Sequence, residues 1–268
     1  MWLKIQFSIL WITLASIQSA ESIGKTQQLN FEQNLILKFF LTGAKLVYDY
    51  ESQVQSKVGS IGGKSKDPRS QSLSFKLSAE LSITPIWQGL NQSLVQLQVS
   101  NPKILTWYAS QPGSEQNLDQ LKNPFLASFG SDSIKVYSTE TNNEVLNFQR
   151  GLASLFLFRE ENVEIEETDV LGKCRTIYGQ DRHGLHKSKE NCQVNQQNDG
   201  LFDTRQYSNI KSTYKLNQEG IIDSCEVREW VEFYPQLTPE LAQDLQQRQK
   251  LTLKGMYYSN FLNAVKIC

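Results

Sequence analysis

Two cysteines and two histidines are the chemistry-bearing residues that lie closest together in this sequence. Cys174 and Cys192 bracket the polar segment RTIYGQDRHGLHKSKEN, which contains His183 and His186. Thiolates and imidazoles are zinc ligands, but their spacing here fits no compact zinc-binding pattern, so we predict no metal site. The glycines and charges of the segment are typical of a loop between strands, and the cysteines at its ends form a natural disulfide pair in an oxidising compartment. The chain has four cysteines: Cys174, Cys192, Cys225 and Cys268. If all four form disulfides, there are three alternative ways to pair them.

The other nucleophiles and acids form no recognisable catalytic group. The stretch GSIGGKS at 59–65 resembles a phosphate-binding loop of the pattern GxxxxGK(S/T). The first glycine of that pattern would fall at position 58, but that residue is Val58. The acidic pair Glu166 and Glu167 is typical of a solvated strand end. Cys225 alternates in phase with apolar residues, which predicts a buried core thiol. We therefore predict a protein that is not an enzyme and that needs no cofactor.

The composition and the first residues indicate where the protein works. The chain has 268 residues, and its 27 basic against 28 acidic side chains give a net charge of −1. Such a balance provides no basic field for a nucleic acid. Residues 1–20 contain Lys4, an apolar run and a small-residue end at Ala20, a pattern that predicts a secretory signal peptide too short to span a membrane. We expect the endoplasmic reticulum lumen as the location, with secretion as the alternative.

Two further short features of the sequence are a glycosylation sequon, which fits a secretory protein, and a short apolar run. Asn91 begins the sequon Asn91-Gln92-Ser93, which predicts a glycan in a turn between two strands. The apolar run Leu35–Leu41 is interrupted by Lys38 and is too short to cross a bilayer. We interpret the run as a buried strand or an insertion.

The dominant period along the chain is two. From Leu73 to Ile83 every odd position is apolar, and every position between them is polar. This alternation predicts a long strand with one buried and one wet face. Similar segments recur to position 257, with turn residues between them and few helices. The fold class is therefore mainly β, an extensive antiparallel sheet closed as a barrel or a sandwich.

One segment has a helical spacing instead. Between about 143 and 158 (NEVLNFQRGLASLFLF) apolar residues fall at a helical spacing, and either Asn142 or Asn143 is a suitable N-cap. A helix that is apolar on most of its surface should be buried, and the nearest apolar surface is the inside of the sheet. We predict Leu152, Leu155 and Phe156 as its core residues. An ordinary helix on the edge of a sandwich fits the pattern equally well.

The same segment carries a resemblance to a known family. The run QRGLASLF at 149–156, the later run DVLGKCRTIY at 169–178 and a second cysteine at Cys192 resemble the vitellogenin-like large lipid transfer proteins. GAKLVYDYE at 43–51 resembles the first strand of the family, and 212–254 resembles its last hairpins. The resemblance therefore extends over most of the chain after the signal peptide.

The resemblance implies an antiparallel β-barrel wrapped around a central helix at residues 21–255, followed by a divergent tail at 256–268. It places the conserved disulfide of the family on Cys174 and Cys192. The segment 34–42 lies where the family usually passes directly into its first strand. Family members also continue into lipid-enclosing domains beyond the barrel, so we expect this chain by itself not to carry lipid.

Two functions remain open. The first, implied by the resemblance, is the N-terminal barrel of a lipid transfer protein, which supports lipoprotein assembly by binding an apolipoprotein B-like lipoprotein. In that family a contact with protein disulfide isomerase is made mainly by other domains, and lipid is bound by the full-length protein. The alternative is a free-standing carrier that holds a lipid or small ligand inside the barrel, as lipocalins do. The sequence identifies no lipid-binding residue.

Overall fold

A computed structural model describes residues 44–58, 72–89, 92–108, 111–112, 116–130, 134–159, 162–169, 172–193, 204–235 and 243–258. The predicted signal peptide, the 34–42 segment, Asn91 and Cys268 lie outside the described residues, as does the predicted 256–268 tail except for its first three positions, 256–258.

Thirteen strands and one α-helix make up the regular structure of the described residues, together with a 3-10 turn at Asp119–Lys122. They are, in chain order, β1 (Ala44–Val58), β2 (Ser72–Gln88), β3 (Ser93–Tyr108), β4 (Gln111–Pro112), β5 (Gln116–Asn117), β6 (Phe125–Phe129), β7 (Ile134–Tyr137), α1 (Asn143–Ser154), β8 (Val163–Asp169), β9 (Gly172–Asp181), β10 (Gly184–Gln193), β11 (Thr204–Leu216), β12 (Ile222–Pro235) and β13 (Gln243–Tyr258).

The strands form a single antiparallel sheet in the order β7-β6-β3-β2-β1-β13-β12-β11-β10-β9-β8, with β4 and β5 paired to β3. Almost every neighbour in this path is also a neighbour in sequence, as in a meander. Two pairings are exceptions. β3 pairs with β6 although the short strands β4 and β5 lie between them in sequence, and β1 pairs with β13, which joins the first and last described strands along 15 residue pairs. The predicted fold class, mainly antiparallel β around a helix, is confirmed. Within the described residues the sheet path is open, with β7 and β8 at its two ends, rather than closed into a complete barrel.

The alternation predicted for β2 produces the buried face of the sheet. Leu77, Leu81 and Ile83 are buried, while polar residues between them are more exposed. Tyr48 and Tyr50 of β1 point to the same side and are fully buried. One continuous core joins these side chains to those of the helix, so the helix lies on the inner face of the sheet.

The helix α1 begins and ends with identifiable local interactions. The Asn142 side chain accepts a hydrogen bond of 2.8 Å from the Glu144 backbone N–H, which is an N-cap. The backbone N–H groups of Leu155, Phe156 and Leu157 each bond to the carbonyl three residues earlier. Because this tightens the chain into a 3-10-like turn, the helix ends at Ser154 and not near residue 158 as predicted.

The polar segment between Cys174 and Cys192 is a second correction. We predicted a loop, but β9 and β10 form a hairpin in which only Arg182 and His183 make the turn. Gly184 begins β10 with φ of +134°, and a Cβ there would lie 2.1 Å from the Tyr214 carbonyl oxygen. Glycine is therefore required at this position to let the hairpin pack against β11.

Candidate functional site

The enclosed helix and the turn that follows it occupy the inner face of the sheet. Phe148 of the helix meets Tyr50 edge-on, with ring centroids 6.2 Å apart, and Phe156 meets Tyr48 in the same way at 5.8 Å. Phe158 stacks on Tyr214 of β11 at 4.8 Å. Aromatic pairs at such distances and angles contribute stabilisation beyond the burial of their area. Helix and turn therefore bridge strands on opposite sides of β13.

The three residues predicted as the helix core are all buried. Leu152 lies within the helix, whereas Leu155 is its C-cap and Phe156 follows in the turn. The structure brings all three into the same core as the inner side chains of the sheet. A carrier would need space for its ligand on the inner face of the sheet. Side chains of the helix and its turn lie in that position instead.

A buried group of charges lies beside this segment, on the inner face of β8 and β10. The Glu167 carboxylate is 3.2 Å from the Lys187 Nζ and 2.9 Å from the Lys189 Nζ. The three side chains are only 15%, 8% and 9% exposed, respectively. Removing charges from water is costly, so such a group persists only when each charge has a close partner of opposite sign.

The surroundings of Glu167 keep it ionised. Burial favours its neutral form, but Lys187, Lys189 and a 2.5 Å hydrogen bond donated by the Tyr178 hydroxyl outweigh that effect and lower the pKa of Glu167 to about 2. Burial of the phenol, together with the same carboxylate, raises the pKa of Tyr178 well above its usual range. The Lys187 Nζ also donates a 3.4 Å hydrogen bond to the Leu157 carbonyl. The charge group therefore fixes the segment after the helix to β8 and β10.

The cysteines fall into two kinds. Cys174 is fully buried and disulfide-bonded, and the bulge of β10 places the backbone of Asn191 and Cys192 across from it. The side chain of Cys192 lies outside the described side chains, so its pairing with Cys174 stays a prediction. Cys225 is a free, buried thiol, and burial raises its pKa to about 12. A thiol with so high a pKa is a poor nucleophile at neutral pH.

The two histidines lie at and just after the tip of the β9–β10 hairpin. The His186 Nε2 is 2.9 Å from the Asp181 carboxylate, and the His183 backbone N–H donates to that carboxylate at 2.6 Å. Among the described residues no group of three or more His, Cys, Asp or Glu side chains could hold a metal ion. In the part of the chain that the structure describes, no helix is long and apolar enough to span a membrane.

Reasoning from the sequence missed the buried charges. Glu167 was predicted to be solvated with Glu166, yet Glu166 is exposed and Glu167 points inward. The signal was present in β10, where Leu185, Lys187 and Lys189 share one face of the strand. The segment was nevertheless predicted to be a loop, because the counter-ion of the two lysines lies on a strand two positions away in the sheet and not in the segment itself.

The outer face of the sheet is mostly polar, and several large apolar side chains of the sheet are exposed, on its outer face and at the ends of its strands. Trp230 is 52% exposed near the middle of β12, and Ile86 and Trp87 are exposed at the end of β2. Tyr257 and Tyr258 are exposed at the end of β13. Exposed tryptophan and tyrosine are enriched at protein interfaces. The outer face is therefore where this fold offers contacts to another molecule.

Comparison with known proteins connects the fold to a family. A family model described as the vitellogenin N-terminal domain matches residues 40–259. The microsomal triacylglycerol transfer protein of Drosophila melanogaster is 25% identical over 61% of this chain and 19% of its own length. The microsomal triglyceride transfer protein large subunit of Mesocricetus auratus is 22% identical over 93% of this chain and 29% of its own length. The chain thus spans less than a third of these relatives.

A solved structure supports the same fold. A structure that describes lipid–protein interactions in lipovitellin superposes with a TM-score of 0.56 at 19% identity, covering 82% of this chain and 26% of that one. The likeness therefore extends over most of the described sheet and corresponds to one part of a much larger protein.

Proposed function

Because this chain belongs to the vitellogenin N-terminal domain family, we propose that it is the barrel module of a lipid transfer protein and acts by binding an apolipoprotein B-like lipoprotein during assembly. The relatives named as triglyceride transfer proteins support the link to lipid transport. The proposed role is that of a protein-binding scaffold and not of a catalyst.

The observation that carries the proposal is the position of the helix and its turn. Leu152, Leu155 and Phe156 are buried against the inner face, with Phe156 in ring contact with Tyr48. In small barrels the interior is either filled by side chains or left open for a ligand. Side chains fill the described interior, so the binding role falls to the outer face.

The chemistry of the inner face also disfavours an acyl chain. Besides Glu167 and its two lysines, the amides of Gln149, Gln247 and Gln249 are buried there. A buried polar group costs free energy unless it is hydrogen-bonded, and an acyl chain could offer it no partner. A lipid seated on this face would therefore compete with the hydrogen bond that Gln247 donates to the Ser52 hydroxyl and the one that Gln249 accepts from the Tyr50 hydroxyl.

The proposal has a cellular setting that the sequence suggests. The signal peptide would deliver the chain to the endoplasmic reticulum lumen, where a nascent lipoprotein is available and a disulfide at Cys174 is stable. Since the family resemblance assigns protein disulfide isomerase mainly to other domains, we propose that the barrel binds its lipoprotein without that enzyme.

Two assays on the full chain, purified from a secretory expression host, test the proposal together. Surface plasmon resonance on the immobilised N-terminal region of apolipoprotein B should give saturable binding without protein disulfide isomerase. A vesicle assay with labelled triglyceride and phospholipid should show no transfer above a protein-free control. Transfer well above that control, with no binding to the lipoprotein fragment, would instead establish the free-standing carrier.

A further inference from the structure

The outer face of β11, β12 and β13 holds an unusual row of like charges. The antiparallel register aligns Lys211 with Arg228, and Arg228 with Arg248, so three cations stand directly side by side on three neighbouring strands. All three residues are exposed, as their positions on the outer face require. Opposite charges in facing positions stabilise a sheet, whereas like charges directly opposite destabilise it.

The next row compensates this charge only in part. It aligns Glu226 with Lys250, and Glu226 accepts hydrogen bonds from both arginines. The Arg228 Nε donates at 2.6 Å, and the Arg248 Nε and Nη2 donate at 3.1 Å each. Within β11, β12 and β13 one carboxylate thus faces four cations, and Glu51 of β1 lies opposite Lys250 in the second row. Two carboxylates against four cations leave the surface with an excess of positive charge.

The largest exposed side chain on this part of the sheet lies beside the cations. Trp230 follows Arg228 by two positions, so both point outward from β12, and 52% of Trp230 is exposed. Tryptophan and arginine are the residue types most enriched among those that dominate binding energy at protein interfaces. We name Lys211, Arg228, Trp230, Arg248 and Lys250 the basic tryptophan patch.

We propose that the basic tryptophan patch is the docking surface for an acidic segment of the protein partner. This inference rests on the proposed function, and it adds the surface and the chemistry of the partner. Charge complementarity carries it: Glu226 orients the arginine pair while leaving hydrogen-bond donors of both guanidinium groups to meet carboxylates of the partner. The indole supplies the apolar contact at the centre of the interface.

The arrangement also makes a distinctive prediction about stability. If the cations served the fold, their removal would lower the melting temperature. Lys211 and Arg248 repel Arg228 across the register, whereas Glu226 attracts both arginines, and exposed charges contribute little to stability. Neutralising the arginines should therefore change the melting temperature only slightly. Binding should weaken at the same time, and a loss of binding without a loss of stability distinguishes a docking surface from a structural one.

The test compares two patch variants with matched controls in the full chain. The patch variants are the double substitution R228Q/R248Q and the single substitution W230A. The controls are K103Q/K135Q, which removes two exposed lysines elsewhere, and W87A, which removes an exposed tryptophan at the end of β2. Surface plasmon resonance on the N-terminal region of apolipoprotein B should show about a tenfold or greater loss of affinity for each patch variant. The controls should bind as the unmodified chain does.

Other outcomes separate the possibilities. Unmodified protein that does not bind the fragment would overturn the proposed function itself. Unmodified protein that binds, with patch variants of equal affinity, would overturn the docking surface alone. Vesicles of phosphatidylcholine with phosphatidylserine provide the membrane arm. Binding to these vesicles that needs the arginines, alongside lipoprotein binding that does not, would reassign the patch to lipid and contradict the proposal.

Discussion

Replacing Glu167 with glutamine tests the buried charge group most directly. The change keeps the size of the side chain but removes the charge that two almost fully buried lysines face at 3.2 and 2.9 Å. Lys187 would also keep its hydrogen bond to the Leu157 carbonyl, so the turn after the helix would be held by an uncompensated cation. The variant therefore isolates the electrostatic role of the carboxylate.

Two routes give the size of the effect. Lowering the pKa of Glu167 from 4.5 to about 2 corresponds to about 3 kcal/mol of stabilisation at neutral pH. Leaving one side of a buried ion pair without its partner typically costs about 3–5 kcal/mol. Small domains have free energies of unfolding of about 5–15 kcal/mol, so the loss should be large but leave a folded fraction.

The assay is equilibrium denaturation in guanidinium chloride at pH 7 with the disulfide intact. E167Q should lose about 3 kcal/mol, whereas E166Q, which removes an exposed charge from the same strand, should be nearly unchanged. An equal, small effect of the two substitutions would refute the charge group. A further variant with Glu167, Lys187 and Lys189 all replaced by apolar residues of similar size should recover most of the loss, because no charge is then left without a partner.

The pH dependence gives a second check on the same variant. The folded-state pKa of Glu167 lies below its ordinary value, so its contribution is complete above about pH 4.5 and is lost as the pH falls toward 2. The difference in stability between the unmodified chain and E167Q should therefore shrink across that range. A difference that stays constant from pH 7 to pH 3 would show that E167Q acts through packing instead.

Three other predictions concern the covalent framework, the core and the hairpin. A non-reducing digest should yield one cross-linked peptide pair that contains Cys174 and Cys192, and finding both thiols free would contradict the pairing. Substitution of Leu155 by aspartate should prevent folding, seen as loss of secretion and of the β-sheet circular dichroism signal, because an unpaired charge would lie in the core; a soluble variant with an unchanged melting temperature would place the turn outside it. Gly184→Ala should destabilise the protein strongly, since φ is +134° and the new Cβ would meet a carbonyl oxygen at 2.1 Å, while Gly179→Ala, with its nearest contact at 3.6 Å, should be tolerated; similar melting temperatures would contradict the described hairpin.

The strands with a simple alternation could be predicted from the sequence. The 73–83 pattern identified β2 and its buried face because apolar and polar residues there follow the period of two without exception. The helix was predicted from its spacing, but not its end, because the 3-10-like turn at Leu155 to Leu157 keeps apolar residues in nearly helical positions. The pattern of apolar and polar residues therefore identified the strands and the helix better than it identified the residues at which they end.

Contacts between distant segments could not be predicted in the same way. The pairing of β1 with β13 joins Ala44 to Tyr258, and no local pattern specifies so remote a partner. The inward position of Lys187 and Lys189 depends likewise on Glu167, which lies 20 and 22 residues earlier in the chain. The charged row of the outer face became visible only once the register aligned Arg228 with Arg248.

Native mass spectrometry of the full chain mixed with the N-terminal region of apolipoprotein B and excess phospholipid and triglyceride tests the central claim most directly. The claim is that the protein fills its interior with its own helix and binds a protein partner on the outside. The account predicts a complex of the two proteins in which no lipid mass is assigned to this chain. A lipid-loaded chain that forms no complex with the apolipoprotein fragment would contradict it.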